Sequence, residues 1–305
     1  MFGIYFGKYL VDKGVISEAQ YNELLDNTKN SKVQMGLLAV ETGLMTEEQT
    51  KEVNLLQQQE DKRFGDIAIE KGYLTEADVT DLLDRQGDAY LLFIQALLEN
   101  NILTMDQVRA EIIYYRKAKG LSALDLEAIK TGDVDRIIPI FVKDKGLPEY
   151  IKEYILLTSR NIVRFVDRFF RMEKIEQITQ YDAPHCATQH IVGDYRFYTA
   201  LCGEEEGIAQ VAKGFASTSF PADAAAEVVD TLDAANEFMN CNNGLFATVL
   251  SDNNIDVVVE SPIMKRNHTI IHANEHMYKV PLYVEDHSVD LIICFDDETF
   301  GIDED

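Results

Sequence analysis

Near the end of the sequence, the stretch "NEFMNCNNG" sets a carboxylate, Glu237, three residues before a carboxamide, Asn240. On a helix that spacing makes the two side chains neighbours. The carboxylate can pair with a cationic group, and the carboxamide can both donate to and accept from a water while carrying no charge. With Glu237 at zero on a wheel of about 100° per residue, Asp233 falls at about 320°, Asn240 at about 300° and Gly244 at about 340°. Val228, Leu232, Ala235, Met239 and Phe246 gather at about 160–220°, the side that must face a core. Asp233, Glu237, Asn240 and Gly244 therefore form one strip opposite the core. Gly244 gives it a shallow spot where another backbone can approach. An amphipathic helix leaves such a strip in water anyway, so spacing alone keeps a solvated face and a chemical site both open.

The strip needs elements to hold it. A long amphipathic helix is predicted from Pro148 to about Met172, with Ile151, Ile155, Ile162, Phe165, Val166 and Phe169 at helical spacing. From Gln189 the period changes to two. "QHIVGDYRFYTALCG" and "GIAQVAKGFAS" are predicted as paired strands meeting at a Gly203–Gly207 turn. "FPADAAAEVVDTLDAANEFMNCNNGLFATVL" follows as the long helix of the strip, opening at Pro221. "IDVVVESP", "MYKVPLYVE" and "VDLIICFD" then have the character of strands. Helices and strands in this succession are the α+β pattern.

D/S-x-x-x-E-x-x-N followed by about 22 residues and then a proline is the signature of the chemotaxis phosphatases CheC, CheX and FliY. Residues 148–305 resemble that family: Asp233, Glu237 and Asn240 fill the motif, and Pro262 arrives one residue early. The first long helix, "YIKEYILLTSRNIVRFVDRFF", carries no second E-x-x-N, so the chain is most similar to the single-site CheX type. The resemblance implies long helices packed on an antiparallel-rich sheet, a homodimer, and hydrolysis of the aspartyl phosphate of a CheY-type response-regulator receiver. Asn240 would orient the attacking water. Glu237 would dock the receiver through its lysine, and Asp233 with Gly244 would support the contact. The receiver supplies its own Mg²⁺, so no cofactor, nucleophile or general base is asked of this protein. Such chemistry is mostly positioning, which a carboxamide on a rigid helix suits.

The first third of the chain repeats. Gly7, Gly36 and Gly65 are 29 residues apart, as are Gly14, Gly43 and Gly72, and then Ser17, Thr46 and Thr75. A decayed fourth copy has Asn101, Thr104 and Val108 at matching positions. Each copy predicts a short helix closed by a residue that tolerates the left-handed conformation, a capping box ("SEAQ", "TEEQ", "TMDQ", and a weaker "TEAD"), and a second helix. Such hairpins must bury their apolar faces against one another. The pattern resembles the MshE-N type N-terminal domains of secretion and pilus ATPases, whose copies bind cyclic di-GMP. The third copy matches best, through Arg63, Gly65, Gly72 and Gln86. The resemblance makes these four a candidate ligand site. Gln34 and Tyr5 replace the arginine in the second and first copies, so a docking module without that ligand is the competing reading.

The organisation expected is a helical repeat domain over residues 1–115, a connector over 116–147 and a CheX-like domain over 148–305. The formal charge of −25 gives no basic footprint for nucleic acid and opposes adsorption to anionic membranes. No apolar run approaches the roughly 20 residues of a membrane span, and the start lacks the length of a signal peptide. Four scattered cysteines without a CxxC pair fit a reduced, cytoplasmic protein. His268, His272 and His276 are four apart, but their β-branched neighbours favour strand and turn over a helical metal site. His185–Cys186 is a similarly weak signal. The resulting expectation is a signalling phosphatase regulated or localised by its repeats. A non-catalytic adaptor, holding a receiver on the strip and a second protein on the repeats, is the rival from another class.

Overall fold

The computed structural model describes residues 1–305 except 30, 61, 144–145, 168–169, 220–230, 267, 286, 296–297 and 305. Phe169, Pro221 and Val228, used above, lie outside the described residues. The chain divides into two compact units, Met1–Asp133 and Val134–Asp305.

The first unit is helical throughout: α1 (Phe2–Asp12), α2 (Glu18–Lys29), α3 (Met35–Glu41), α4 (Glu47–Gln59), α5 (Phe64–Glu70), α6 (Glu76–Asp84), α7 (Ala89–Glu99), α8 (Met105–Ala118) and α9 (Ala123–Thr131). Each of the first four pairs is a hairpin closed by a left-handed residue, with φ of 75°, 73°, 72° and 54° at Gly14, Gly43, Gly72 and Asn101. The residue after each closing turn caps the second helix. Reciprocal capping boxes join Ser17 to Gln20, Thr46 to Gln49, Thr75 to Asp78 and Thr104 to Gln107. The box at Thr75 is complete. The hydroxyl and backbone N–H of Thr75 both bond the Asp78 carboxylate and hold it below its ordinary range.

The other repeat glycine sets the crossing inside each hairpin. A Cβ on Gly7 would lie 2.6 Å from the Tyr21 ring, on Gly36 2.6 Å from Thr50 Cγ2, and on Gly65 3.1 Å from Val79 Cγ1. The residues met are themselves one repeat apart. Copies two and three share a core with Val33, Leu38, Val53, Phe64, Ile67 and Leu82. Copies one and four close on each other through rings: Phe6 meets Phe93 at 6.5 Å and Tyr115 at 5.7 Å.

The second unit contains α10 (Val134–Val142), α11 (Glu149–Phe165), β1 (Arg171–Met172), β2 (Glu176–Ala183), β3 (His185–Gly193), β4 (Phe197–Gly203), α12 (Glu205–Ser219), α13 (Thr231–Asp252), β5 (Val257–Val259), β6 (Ile263–Lys265), β7 (Thr269–Val284), β8 (His287–Phe295) and β9 (Gly301–Glu304). The sheet runs β1-β7-β8-β4-β3-β5, with β6 also on β3, and β2 and β9 on β7. Its ladders are antiparallel, with Thr188 opposite Ala200 and Ala200 opposite Ile292. Helices on an antiparallel sheet make this unit α+β.

Two sequence expectations are corrected here. "GIAQVAKGFAS" belongs to helix α12 rather than a strand, and "QHIVGDYRFYTALCG" itself holds a strand pair, the second half of β3 from Gln189 on and all of β4. Gly207, Ile208, Val211, Ala212, Phe215 and Ala216 are buried at helical spacing, and Glu205 and Glu206 favour a helix start. Small residues between them imitate alternation. Helix α11 also stops at Phe165 instead of reaching Met172. Met172 pairs with Leu282 of β7, and the Arg171 guanidinium stacks 3.7 Å above the Tyr283 ring. These long-range partners override the local helical period.

Candidate functional site

Helix α13 carries the strip. Ala234, Ala235, Phe238, Met239, Phe246 and Leu250 are buried along one side. Asp233, Glu237, Asn240 and Gly244 are exposed on the other. A Cβ built on Gly244 meets nothing within 4 Å, so the shallow spot is open. Asp233 is engaged, because Arg266 lies 3.0 Å from its carboxylate and anchors that end of the strip to the chain after β6. Glu237 has no hydrogen-bond or ion-pair partner among the described residues. It lies one turn from Cys241, whose thiol is pushed up by burial, with Arg164 opposing that shift and Glu237 adding to it.

Asn240 is exposed yet tied down. Its Oδ1 accepts from Gln189 Nε2 at 3.0 Å, and Gln189, on β3, is only 2% exposed. The same Nε2 donates to the Glu260 carbonyl at 2.7 Å. That bond fixes the segment between β5 and β6 in which Pro262 sits. Gln189 Oε1 in turn accepts from Asn243 Nδ2 at 2.8 Å.

Behind Gln189 lies a polar cluster that the sequence reading missed. Asn242 and Asn243, both fully buried on α13, face α11 and the sheet. Asn243 also donates to Thr199 (3.0 Å) and accepts from the Tyr154 hydroxyl (2.7 Å). Asn242 donates to Tyr154 (3.2 Å) and Thr158 (3.0 Å) and accepts from Asn161 (2.8 Å). Burial raises the Tyr154 phenol to about 12, so it stays a neutral donor at any ordinary pH. The wheel held the signal, since Asn242 and Asn243 fall at about 140° and 240°, flanking the core arc.

The histidines do not assemble. His268, His272 and His276 lie on or just before the long strand β7, paired with Asp182 (3.1 Å), paired with Asp303 (3.4 Å) and stacked on Phe295 (5.1 Å) respectively. Among the described residues, no group of three or more His, Cys, Asp or Glu could hold a metal ion. Cys186 is buried opposite Cys202 across β3 and β4. No described helix is long and apolar enough to cross a membrane.

The four repeat residues have structural settings. Arg63 is the exposed N-cap of α5 and makes no side-chain cap bond. Gly65 is the buried crossing point, and Gly72 is the left-handed closing residue. Gln86 is spent on the chain, its Nε2 donating to the Val33 carbonyl at 3.2 Å. At the arginine position, Gln34 of copy two binds Glu99 at 2.8 Å and Tyr5 of copy one is buried.

What the second unit offers is thus an α+β scaffold with an exposed carboxylate–carboxamide pair whose amide is anchored from behind. Solved structures similar to the chain include the chemotaxis protein CheX from Desulfovibrio desulfuricans, with 14% identity, 49% of this chain and 100% of that one covered, and a TM-score of 0.40. CheX from Vibrio vulnificus gives the same four values. The CheX–CheY–BeF₃–Mg complex from Borrelia burgdorferi is similar at 14% identity, 48% and 97% coverage, and a TM-score of 0.36. No protein-family model and no curated protein matches the sequence.

Proposed function

We propose that the second unit hydrolyses the aspartyl phosphate of a CheY-type receiver, with Asn240 orienting the attacking water and Glu237 docking the receiver's lysine. In the reaction the water oxygen bonds phosphorus and the bond from phosphorus to the aspartyl oxygen breaks. Phosphate leaves, and the aspartate carboxylate is restored. The acyl phosphate is already activated and the receiver brings its own Mg²⁺, so an ordered water is the part left for this protein to supply. The observation that carries the reading is the exposed Asn240 amide, held through Oδ1 by buried Gln189. An ordinary solvated face has no use for such a support. Support for docking comes from Glu237, exposed one turn away, while Asp233 is already bound to Arg266.

The deciding experiment follows loss of phosphoryl label from acetyl-phosphate-charged CheY-type receivers. Asn240→Ala is expected to slow catalysed hydrolysis by about 100-fold, while binding to a beryllofluoride-loaded receiver persists. Hydrolysis as fast as wild type overturns the catalytic reading. The repeats, in the same proposal, regulate or localise this activity by docking a protein. In support, the amide of Gln86 and the residues at two of three arginine positions are committed to the fold. Heat evolved with cyclic di-GMP at roughly tens of micromolar would replace that reading with a nucleotide site at Arg63, Gly65, Gly72 and Gln86. The homodimer belongs to the proposal too, and sedimentation of the full chain tests it.

A further inference from the structure

An amide can be held by either end, and the two ends do opposite chemistry. Here the direction is fixed by two backbone carbonyls, which only accept. The Thr158 hydroxyl spends its hydrogen on the Tyr154 carbonyl at 2.8 Å, so it must accept from Asn242 Nδ2. Asn242 also donates to the Tyr154 hydroxyl, whose one hydrogen therefore goes to Asn243 Oδ1. Asn243 is left presenting Nδ2 to Gln189 Oε1. From the other end, the Glu260 carbonyl independently requires nitrogen on the Gln189 side facing it. The second Gln189 hydrogen then reaches Asn240 Oδ1. Asn240 is consequently held oxygen inward, with its NH₂ left to the exposed edge of the strip.

We propose that Gln189 is the positioning residue of this site, holding Asn240 with its donors outward. The inference rests on the phosphatase reading and deepens it. Facing an anionic phosphoryl group and its water, an outward NH₂ meets electron-rich oxygens, whereas a flipped amide would turn its own lone pairs toward them. The inward oxygen keeps one lone pair beyond the bond to Gln189 and can still accept a hydrogen from the water. Gln189 touches no substrate. Its effect passes through Asn240, and the bonds to Asn243 and to the Glu260 carbonyl keep Gln189 from turning over.

Two variants read this out. Gln189→Met keeps the length and removes both donors. Its kcat on the charged receiver is expected to fall about 10- to 100-fold, with KM within about twofold of wild type. In Gln189→Glu the ionised side chain cannot donate to Asn240, but the protonated acid can. Its kcat should therefore rise as pH falls through that carboxyl's titration, a limb wild type lacks. A third measurement uses the unaltered protein, so a variant that fails to fold does not decide the matter. In ¹⁵N relaxation, the Asn240 side-chain amide, assigned by its loss in Asn240→Ala, should be as rigid as the backbone. Full activity in Gln189→Met, a loss confined to KM, a flat pH profile in Gln189→Glu, or a freely rotating Asn240 amide overturns the role of Gln189. If instead Asn240→Ala is as active as wild type, the phosphatase reading falls, whatever Gln189 does.

Discussion

Both units bury side-chain amides, and they end them differently. In the repeat unit, buried Gln95 accepts from the Gln34 backbone N–H at 2.7 Å and donates to the Lys32 carbonyl, while half-buried Gln86 donates to the Val33 carbonyl. Each amide finishes on backbone, and the chain is locked to itself. In the sheet unit the bonds run from Asn161 through Asn242, Tyr154, Asn243 and Gln189 and finish on Asn240, an exposed side chain. A closed set of amides makes a fold specific. An open-ended one leaves a group at the surface whose orientation the interior dictates, as a functional site requires.

The contrast breaks first at Asn243. Replacing it with alanine leaves the Tyr154 hydroxyl without its acceptor and Gln189 Oε1 without its donor, in a place that is fully buried. Urea unfolding should show a loss of about 3 kcal/mol, two unmet buried groups at roughly 1–3 kcal/mol each with partial relaxation. Hydrolysis should fall as well, because Gln189 is then held in orientation by the Glu260 carbonyl alone. Gln95→Met is the matched test in the repeat unit. It deprives the Gln34 N–H of its acceptor where water has partial access, at a cost of about 1.5 kcal/mol. Receiver dephosphorylation should be unchanged. A loss of activity in Gln95→Met with stability preserved would erase the distinction between the two sets.

Much of this was legible in the sequence, because much of it is local. The 29-residue spacing marks the closing residues Gly14, Gly43 and Gly72, and the caps at Ser17, Thr46, Thr75 and Thr104, since each depends on its own few neighbours. The exposed strip of α13 follows from helical geometry alone. Helix α12 was misread because Gly207, Ala209, Ala212 and Gly214 sit between its larger apolar residues and give no contrast to the period. The close approaches of Gly207 to the Ser288 carbonyl and of Gly214 to the Val166 carbonyl, each with room for no Cβ, are tertiary facts. Gln189 was the least legible. It sits in "QHIVG" like any polar residue of a half-exposed strand, and its partner Asn240 is 51 residues further on. Only the packing of α13 on β3 gives it a role.

The smallest expected change in stability is at the residue with the largest expected role in catalysis. Asn240→Ala removes one acceptor from Gln189 Nε2, but Asn240 is exposed, so water can reach the vacated position. The other Nε2 hydrogen keeps the Glu260 carbonyl, and Oε1 keeps Asn243, so the buried bonds behind it are intact. Alanine is also the better helix former, which offsets part of the loss. Unfolding in urea should therefore lie within about 0.5 kcal/mol of wild type, at unchanged m-value. A loss comparable to that of Asn243→Ala would mean that Asn240 closes the set rather than ending it open. The amide would then be a structural link like Gln95, and its position on the strip would carry no chemistry.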